Sequence, residues 1–344
     1  MQKILVVRND KIGDFMLAWP SFAMLKESMP ESHITALVPR YTAELARQCP
    51  WIDDVIIDPT KSADKSDYNA LLQTIKKCHF DAAINLFSTT YNATLVWRAG
   101  IPYRLAPATK FAQIFYNHRV KQRRSQSAKP EYQYNMDLIR VFLSDNNVAI
   151  IEPSAPYFQF DEDALAAQKT KLAKQLGIDS NLPWVFVHSG TGGSSNALAN
   201  EQYQTLISGL DGEFETVLTA GPGEEENARK LLSLISAQGD HCVVYDKNDG
   251  LVDFSCSLAC ASLFIAGSTG PLHISAALDV PTVGFFPAKR SSTPLRWMPI
   301  NSDERHIAFT PQGGKNQEEQ SNMTSIDIEQ VLTDLNPWAC QYLS

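Results

Sequence analysis

Residues 263–286 constrain the fold most, because they read as strand, glycine-bearing turn, helix and strand in succession. The apolar run 263–266 leads into Gly267-Ser268-Thr269-Gly270, a helical pattern follows to residue 278, and 280–286 is apolar again. Such a turn leaves the first N–H groups of its helix unpaired at the edge of a parallel sheet. These groups and the helix dipole favour a phosphate. The sequence therefore predicts an α/β fold with a phosphorylated ligand at this turn.

The rest of the chain alternates between short β-rich runs and helical patterns. Strands are predicted at 3–8, 33–38, 55–58, 82–87, 184–188, 216–219 and 242–245, and helices at 14–28, 41–48, 67–78, 161–175, 200–210, 224–235 and 254–261. This alternation is typical of parallel sheets with helices on both faces. The pattern blurs between about 105 and 160.

Two domains of similar size follow from 344 residues and this repeated plan. We predict two doubly wound parallel-sheet domains, 1–155 and 156–322, that face each other across a cleft at the carboxyl ends of their strands. The tail, 323–344, contains a helical pattern at 326–335 and is a candidate to pack back on the first domain.

The composition excludes several classes of protein. A net charge of −8 argues against a surface that seeks nucleic acid or anionic membrane as a whole. No apolar run reaches the length of a membrane span, and no targeting peptide precedes the first strand. Six scattered cysteines without a C-x-x-C pair indicate reduced thiols of a cytosolic protein. Cys256 and Cys260 have helical spacing, for which core packing is favoured over metal binding.

Asp14 follows Gly13 at the start of the first predicted helix, just after the first strand. Its carboxylate could cap the helix, or it could point into the cleft and take a proton from a hydroxyl. The position alone favours neither reading. Asp10, four residues earlier, is interpreted as a loop or turn residue.

The turn after residue 267 is the better ligand candidate. Thr269 and Gly270 offer a hydroxyl and close backbone approach, and Pro271 suits a first helical turn. The alternative is a connection selected only for its geometry. His273 could contact a phosphate or sugar, or pack beneath the turn.

Other polar segments have competing readings. The glycine-rich loop 188–195 could cradle a diphosphate or be an ordinary flexible loop. Glu224 could simply lie at the N-terminus of a helix, or it could bind a ribose. Asp161-Glu162-Asp163 superficially matches a metal-binding D-x-D pair, but helix capping is the better reading. The basic loop that contains Arg119, Lys121, Arg123 and Arg124 could be a solvated face or receive an anionic acceptor.

With these residues assembled, the chain resembles the ADP-heptose:lipopolysaccharide heptosyltransferases, glycosyltransferase family 9, which have the two-domain GT-B architecture. The resemblance spans most of the chain. It is firmest at 4–20, with Gly13-Asp14, and at 269–287.

The resemblance implies an inverting transfer without a metal or other cofactor, in which Asp14 is the catalytic base. The donor diphosphate would contact Thr269 and Gly270, and also Gly190 and Thr191. Glu224 would bind the ribose. The adenine pocket would lie at Asp249, Gly250 and Leu251. The chain would be a cytoplasmic monomer, at most peripherally associated with the inner membrane, acting on ADP-heptose and a lipopolysaccharide core acceptor.

Two positions depart from the well-studied members. Ser268 stands where they have aspartate, and Asn196 aligns with a lysine that touches the diphosphate. We interpret these departures as an altered donor or acceptor preference. A nucleotide-sugar epimerase on the same fold, and a binding protein with a degenerate donor pocket, remain as alternatives.

Overall fold

The computed structural model describes residues 2–60, 64–109, 111–190, 192, 197–314 and 316–344. The chain forms two compact units, Met1–Tyr157 and Phe158–Ser344. The division lies two residues after the boundary predicted from the sequence. Each unit contains one six-stranded, fully parallel sheet.

The first unit alternates strands and helices. Its strands are β1 (Lys3–Val7), β2 (His33–Pro39), β3 (Asp54–Asp58), β4 (Ala82–Asn85), β5 (Tyr103–Pro107) and β6 (His118–Val120). Its helices are α1 (Ile12–Met16), α2 (Trp19–Ser28), α3 (Ala43–Gln48), α4 (Lys65–Cys78), α5 (Thr90–Arg98) and α6 (Glu131–Asp145). The strand order is β3-β2-β1-β4-β5-β6, so the connections change direction between β1 and β4. Ligands of doubly wound sheets bind in the crevice at such a point.

The second unit repeats this plan. Its strands are β7 (Trp184–His188), β8 (Glu215–Thr219), β9 (Cys242–Tyr245), β10 (Leu263–Gly267), β11 (Thr282–Phe285) and β12 (His306–Phe309). Its helices are α7 (Glu162–Leu176), α8 (Asn200–Ser208), α9 (Glu225–Ser236), α10 (Leu251–Ala259), α11 (Gly270–Ala277) and α12 (Ile328–Leu343). The order β12-β11-β10-β7-β8-β9 puts the change of direction between β7 and β10.

The helix predicted at 14–28 is two helices in the structure. α1 ends at Met16 and α2 begins at Trp19, with Pro20 in its first turn. Proline has no N–H to donate to the carbonyl four residues earlier, so it interrupts a continuous helix, but it fits a first turn. The break therefore follows from Pro20, which the apolar periodicity does not reveal.

The C-terminal helix belongs to the second unit, and its predicted packing on the first domain stays a prediction. Val331, Leu335 and Ala339 on α12 are buried in one cluster with Leu206 of α8 and Val283 of β11. The helix also extends to Leu343, beyond the predicted end at 335. Its apolar stripe therefore completes the core of the second unit.

Two smaller predictions concern local contacts. Asp161 precedes α7 and its carboxylate accepts a hydrogen bond from the Ala164 N–H at 2.7 Å, which confirms helix capping over the D-x-D reading. The Cys256 and Cys260 thiols lie against the backbone carbonyls of Ala164 and Leu165, as packed side chains do. Across the described ranges, we find no helix with the length and hydropathy needed to cross a bilayer.

We expect Leu335→Ala to lower the free energy of unfolding by about 2–5 kcal/mol, because Leu335 is fully buried and its truncation leaves a cavity. Urea unfolding measures this. The control Leu295→Ala removes the same atoms from an exposed side chain and should change stability by about 0.5 kcal/mol or less. A comparable loss in both variants would contradict the placement of α12.

Candidate functional site

Asp14 lies in the first turn of α1, directly after the loop that leaves β1. The N-cap residue is Lys11, and the Asp14 side chain does not serve as the cap. Its Oδ1 instead accepts a hydrogen bond from Arg8 Nη2 at 2.5 Å, and 16% of the side chain is exposed. The carboxylate is therefore held in place by a cation while it keeps access to solvent.

Arg8 is the centre of this cluster. It is 2% exposed, and its guanidinium pairs with Asp10 at 2.9 Å, Asp14 at 2.5 Å and Glu131 at 3.3 Å. Asn135 Oδ1 accepts a further hydrogen bond at 3.2 Å. Burial lowers the pKa of Arg8, but the three carboxylates outweigh burial and raise it above its ordinary value. Arg8 therefore stays charged.

Asp10 lies in the bend after β1, as predicted from the sequence, and is also a partly buried member of the cluster. Burial and the nearby charge of Asp14 together raise its pKa to about 7, against the opposing charge of Arg8. The cluster thus contains a carboxyl group that titrates near neutral pH.

Arg124 also belongs to this cluster. Its Nη1 donates to Glu131 Oε1 at 2.6 Å and to the Leu86 carbonyl at 3.3 Å, and its Nε donates to Gln122 Oε1 at 2.8 Å. The sequence analysis grouped it with Arg119, Lys121 and Arg123 as an acceptor-binding residue. Those three are exposed, whereas Arg124 is directed inward.

A second polar network fixes the next residue of the β1 loop. The Asn9 side-chain amide donates to the buried Asp58 at the end of β3 and to Asn92 Oδ1 at 2.8 Å. Asp58 also accepts from Tyr91 Oη at 2.8 Å and from the Thr60 N–H at 2.8 Å. Arg8 and Asn9 therefore anchor this loop on both sides of the sheet's crevice.

In the second unit, the turn after β10 begins α11 with unused polar groups. Thr269 is the N-cap residue and is buried, but its side chain makes no capping hydrogen bond. Among the residues that the structure describes, Thr269 Oγ1 and His273 Nδ1 have no hydrogen-bond partner. Buried polar groups are almost always paired, so such atoms beside a helix N-terminus fit a ligand that supplies the partners.

His273 is neutral in this environment. Burial, with a smaller contribution from the nearby His306, lowers its pKa to about 3. A neutral imidazole can accept or donate one hydrogen bond but brings no charge to a phosphate.

Glu224 links the loop after β7 to the loop after β8 in the same unit. Its carboxylate accepts from the Gly192 N–H at 2.7 Å and the Gly221 N–H at 3.0 Å, and lies 3.4 Å from His188 Nε2. A Cβ at Gly190 would lie 2.1 Å from the Glu224 carboxyl carbon, so a larger residue there would displace this carboxylate. Thr191 and Asn196, which the sequence analysis named as donor contacts, lie outside the described residues.

Asp249, Gly250 and Leu251 form the approach to α10. Gly250 has a φ of 99° at the N-cap, and Asp249 is exposed beside Lys171 at 3.3 Å. Asp253, which the sequence analysis did not name, accepts from the Asp249 N–H at 3.1 Å and fixes this turn.

The predicted donor-site residues that the structure describes lie along one edge of the second unit's sheet. They follow β7, β8, β9 and β10, which are neighbours in the order β10-β7-β8-β9. Because parallel strands end on the same side, the loops after them form one rim, with the β7 and β10 loops at the crevice. Within the described ranges, no group of three or more His, Cys, Asp or Glu side chains could hold a metal ion. Metal independence stays a prediction.

Sequence comparison gives the family. The model of glycosyltransferase family 9 (heptosyltransferase) matches residues 68–326. The chain belongs to glycosyltransferase family 9. It is therefore a glycosyltransferase, and the family predicted from its sequence is confirmed.

Relatives of this family 9 glycosyltransferase cover nearly all of it. A Haemophilus influenzae protein with a provisional glycosyltransferase name is 54% identical, covering 98% of this chain and 96% of that protein. Lipopolysaccharide heptosyltransferase 3 of Escherichia coli is 22% identical, with 94% and 96% covered.

Solved structures confirm the GT-B fold class. The ADP-heptose lipopolysaccharide heptosyltransferase II of E. coli superposes with a TM-score of 0.77 at 18% identity, and 100% of both chains is covered. A family 9 glycosyltransferase from Veillonella parvula gives 0.81 at 17% identity, with 99% of this chain and 98% of that chain covered.

Sequence reasoning did not name two members of the Asp14 cluster, Arg8 and Glu131, and it gave Asp10 only as a loop or turn residue. One signal was available, since Arg8 ends an apolar strand, and a cation at such a position needs acidic partners. The identity of the distant partner Glu131 required the structure.

We expect Asp10→Asn to flatten the fall of stability between about pH 4 and pH 7. The folded-state pKa of about 7 lies above the ordinary 3.8, so the folded state keeps a proton that the unfolded chain loses. Stability therefore falls as pH rises through this window, by about 1.4 kcal/mol per unit of pKa shift. Urea unfolding across this range measures the slope.

The control is Asp163→Asn, which removes an exposed carboxylate and should keep the wild-type slope. If Asp10→Asn kept it too, the titrating group would be another residue.

Proposed function

We propose that this glycosyltransferase moves a heptose, or a related sugar, from ADP-heptose to an inner-core lipopolysaccharide acceptor. The observation that carries the proposal is the rim of loops at the carboxyl edge of the second sheet. There Thr269 and His273 have buried polar atoms without partners at the N-terminus of α11. The names of the relatives, lipopolysaccharide heptosyltransferases 2 and 3 of E. coli, support this donor and acceptor.

The donor diphosphate binds at the start of α11 in this proposal. The Gly270 N–H and its neighbours in the first turn lack intrahelical partners, and the helix dipole adds positive potential. Thr269 Oγ1 supplies a hydroxyl donor. Ser268, at the exposed side of the turn, faces the sugar end and replaces the carboxylate of the well-studied members. These groups stabilise the negative charge that develops on the leaving diphosphate.

Glu224 is the proposed ribose ligand, and the backbone at Asp249, Gly250 and Leu251 the adenine contact. Glu224 is well placed for the first role because its position is already set by the Gly192 and Gly221 amides. The Gly250 conformation opens the backbone of the α10 approach for close contact.

Asp14 is the proposed base. Its carboxylate takes the proton of the acceptor hydroxyl while that oxygen bonds to the anomeric carbon and the nucleoside diphosphate leaves from the opposite face, which inverts the configuration. Arg8 fixes the carboxylate's orientation through the 2.5 Å contact. No metal or other cofactor takes part in this scheme.

The proposed cellular location of the chain follows from the nature of its acceptor. We propose that the chain acts as a cytoplasmic monomer, associates peripherally with the inner membrane, does not bind nucleic acid, and receives the anionic acceptor at Arg119, Lys121 and Arg123.

Thr269→Val should weaken ADP binding by about tenfold or more. The substitution removes the hydroxyl that donates to the charged ligand, while it keeps the shape of the side chain. Isothermal titration calorimetry with EDTA present measures this. Thr269→Ser retains the hydroxyl and is the matched control. Equal affinities of the Val and Ser variants would contradict the hydroxyl contact. Tighter binding of UDP or GDP than of ADP would indicate that the donor carries a different nucleotide.

Asp14→Asn should abolish sugar transfer while leaving the fold and ADP affinity nearly intact. Asparagine keeps the shape of aspartate but cannot take the proton. Product formation from ADP-heptose and a deacylated core acceptor is followed by mass spectrometry. Near-normal turnover in Asp14→Asn would remove Asp14 as the base. If the wild type consumed the donor without an acceptor, the protein would instead be an epimerase. If the wild type left the donor unaltered, the protein would be a binding protein.

A further inference from the structure

Charge is distributed very unevenly along this chain. Residues 82–130, which we call the basic segment, contain eight Lys and Arg residues and no Asp or Glu. The whole chain has 30 Lys and Arg against 38 Asp and Glu, so 22 basic residues face all 38 acidic ones in the remainder. An acidic protein therefore has one strongly cationic stretch, located in the first unit.

The same segment carries an exposed apolar surface. Trp97 at the end of α5 is 52% exposed, and Phe111 and Ile114 in the short 3-10 helix Phe111–Phe115 are 67% and 57% exposed. Phe115 joins them, with its ring centroid 5.3 Å from that of Trp97 and 6.2 Å from that of Phe111. We call these four side chains the aromatic patch. Large apolar side chains clustered at the surface mark an interaction site.

The aromatic patch lies on ordered backbone that is packed against the core, not on a frayed loop. Ala112 and Tyr116 are buried in the core of the first unit, and they alternate with the outward Phe111 and Ile114. Arg104 Nε donates to the Phe115 carbonyl at 2.9 Å and fastens the 3-10 helix to β5. The apolar side chains are thus held outward by a fixed backbone.

Exposed cations accompany the patch in the sequence and in the fold. Arg98 follows Trp97 and lies 5.4 Å over the Tyr68 ring. Arg119, on strand β6 at the sheet edge, and Lys121 and Arg123 beyond it are exposed. An acidic residue from α6, Asp145, pairs with His118 of β6 at 3.2 Å. The other cations of the segment that the structure describes, Arg104, Arg124 and Lys129, donate to groups of the protein itself.

The charge pattern indicates whether the aromatic patch binds a second copy of the chain or a bilayer. In a symmetric dimer the same patch meets its own copy, so cations of the basic segment would oppose cations. An anionic bilayer supplies both complements, acyl chains for Trp, Phe and Ile and phosphates for Arg and Lys. The acidic remainder of the chain is repelled by the same bilayer, which leaves this face to approach it.

We propose that the aromatic patch and the exposed cations of the basic segment form a surface that binds anionic phospholipid bilayers, with Trp97, Phe111 and Ile114 at head-group depth. The biological setting rests on the proposed function, whose acceptor is a membrane lipid. The binding itself needs neither donor nor acceptor.

The test is flotation of the full chain with vesicles of phosphatidylcholine, with or without phosphatidylglycerol, that hold no lipopolysaccharide. We expect binding only to the vesicles with phosphatidylglycerol, and weaker binding at high salt. Phe111→Ser with Ile114→Ser should lower the partition coefficient by about tenfold or more, and Arg98→Gln should lower it less.

Matched controls are Leu295→Ser, an exposed leucine of the second unit, and Lys230→Gln, an exposed lysine of α9. Both should bind as the wild type does. The proposal is overturned if the wild type does not bind, if neutral vesicles bind it equally, or if Leu295→Ser loses as much binding as the patch variant. A wild-type dimer that the patch variant converts to a monomer, without vesicle binding, would assign the patch to a second copy.

ADP binding is measured on the same variants. Retained ADP affinity shows that the second unit is intact, and an unchanged urea-unfolding profile of the patch variant shows that the first unit is folded, so that lost vesicle binding then concerns the membrane. Failure of the proposed transferase reaction would leave the vesicle result unchanged, so the two proposals fail separately.

Discussion

The buried guanidinium of Arg8 ties the candidate base to the rest of the first unit. A cation removed from water is tolerated only when opposite charges and hydrogen bonds surround it. Its carboxylate partners come from the β1 loop, α1 and α6, so this one group joins segments 123 residues apart. The orientation of Asp14 therefore depends on Glu131 as well as on its own helix.

Both units depend on the same topological constraint. Each parallel sheet changes direction beside its first strand, at β1/β4 and at β7/β10. Loops at those places lie in a crevice without a crossover helix above it, so ligand-binding residues concentrate there. Asp14 follows β1 at the crevice of the first unit and Thr269 follows β10 at the crevice of the second, although the two units show no sequence repeat that we can detect.

The sequence predicted the strands with continuous apolar runs well, because their burial on both faces leaves a clear pattern. It missed β5, β6 and β12, which are short or only partly buried, and it missed the break that Pro20 imposes. In the site, positions that follow a strand could be placed on the sheet edge from the sequence alone. The Arg8 cluster could not, because its partner Glu131 is brought in by tertiary contacts.

Glu224 holds the backbone at Gly192 and Gly221 together before any nucleotide arrives. A segment whose amides are already ordered loses less conformational entropy when a ligand docks. In the proposed donor site, this carboxylate would therefore contribute to affinity by ordering the loops in addition to its proposed contact with the ribose. Its position depends on Gly190, since a larger residue there would displace the carboxylate and loosen the rim.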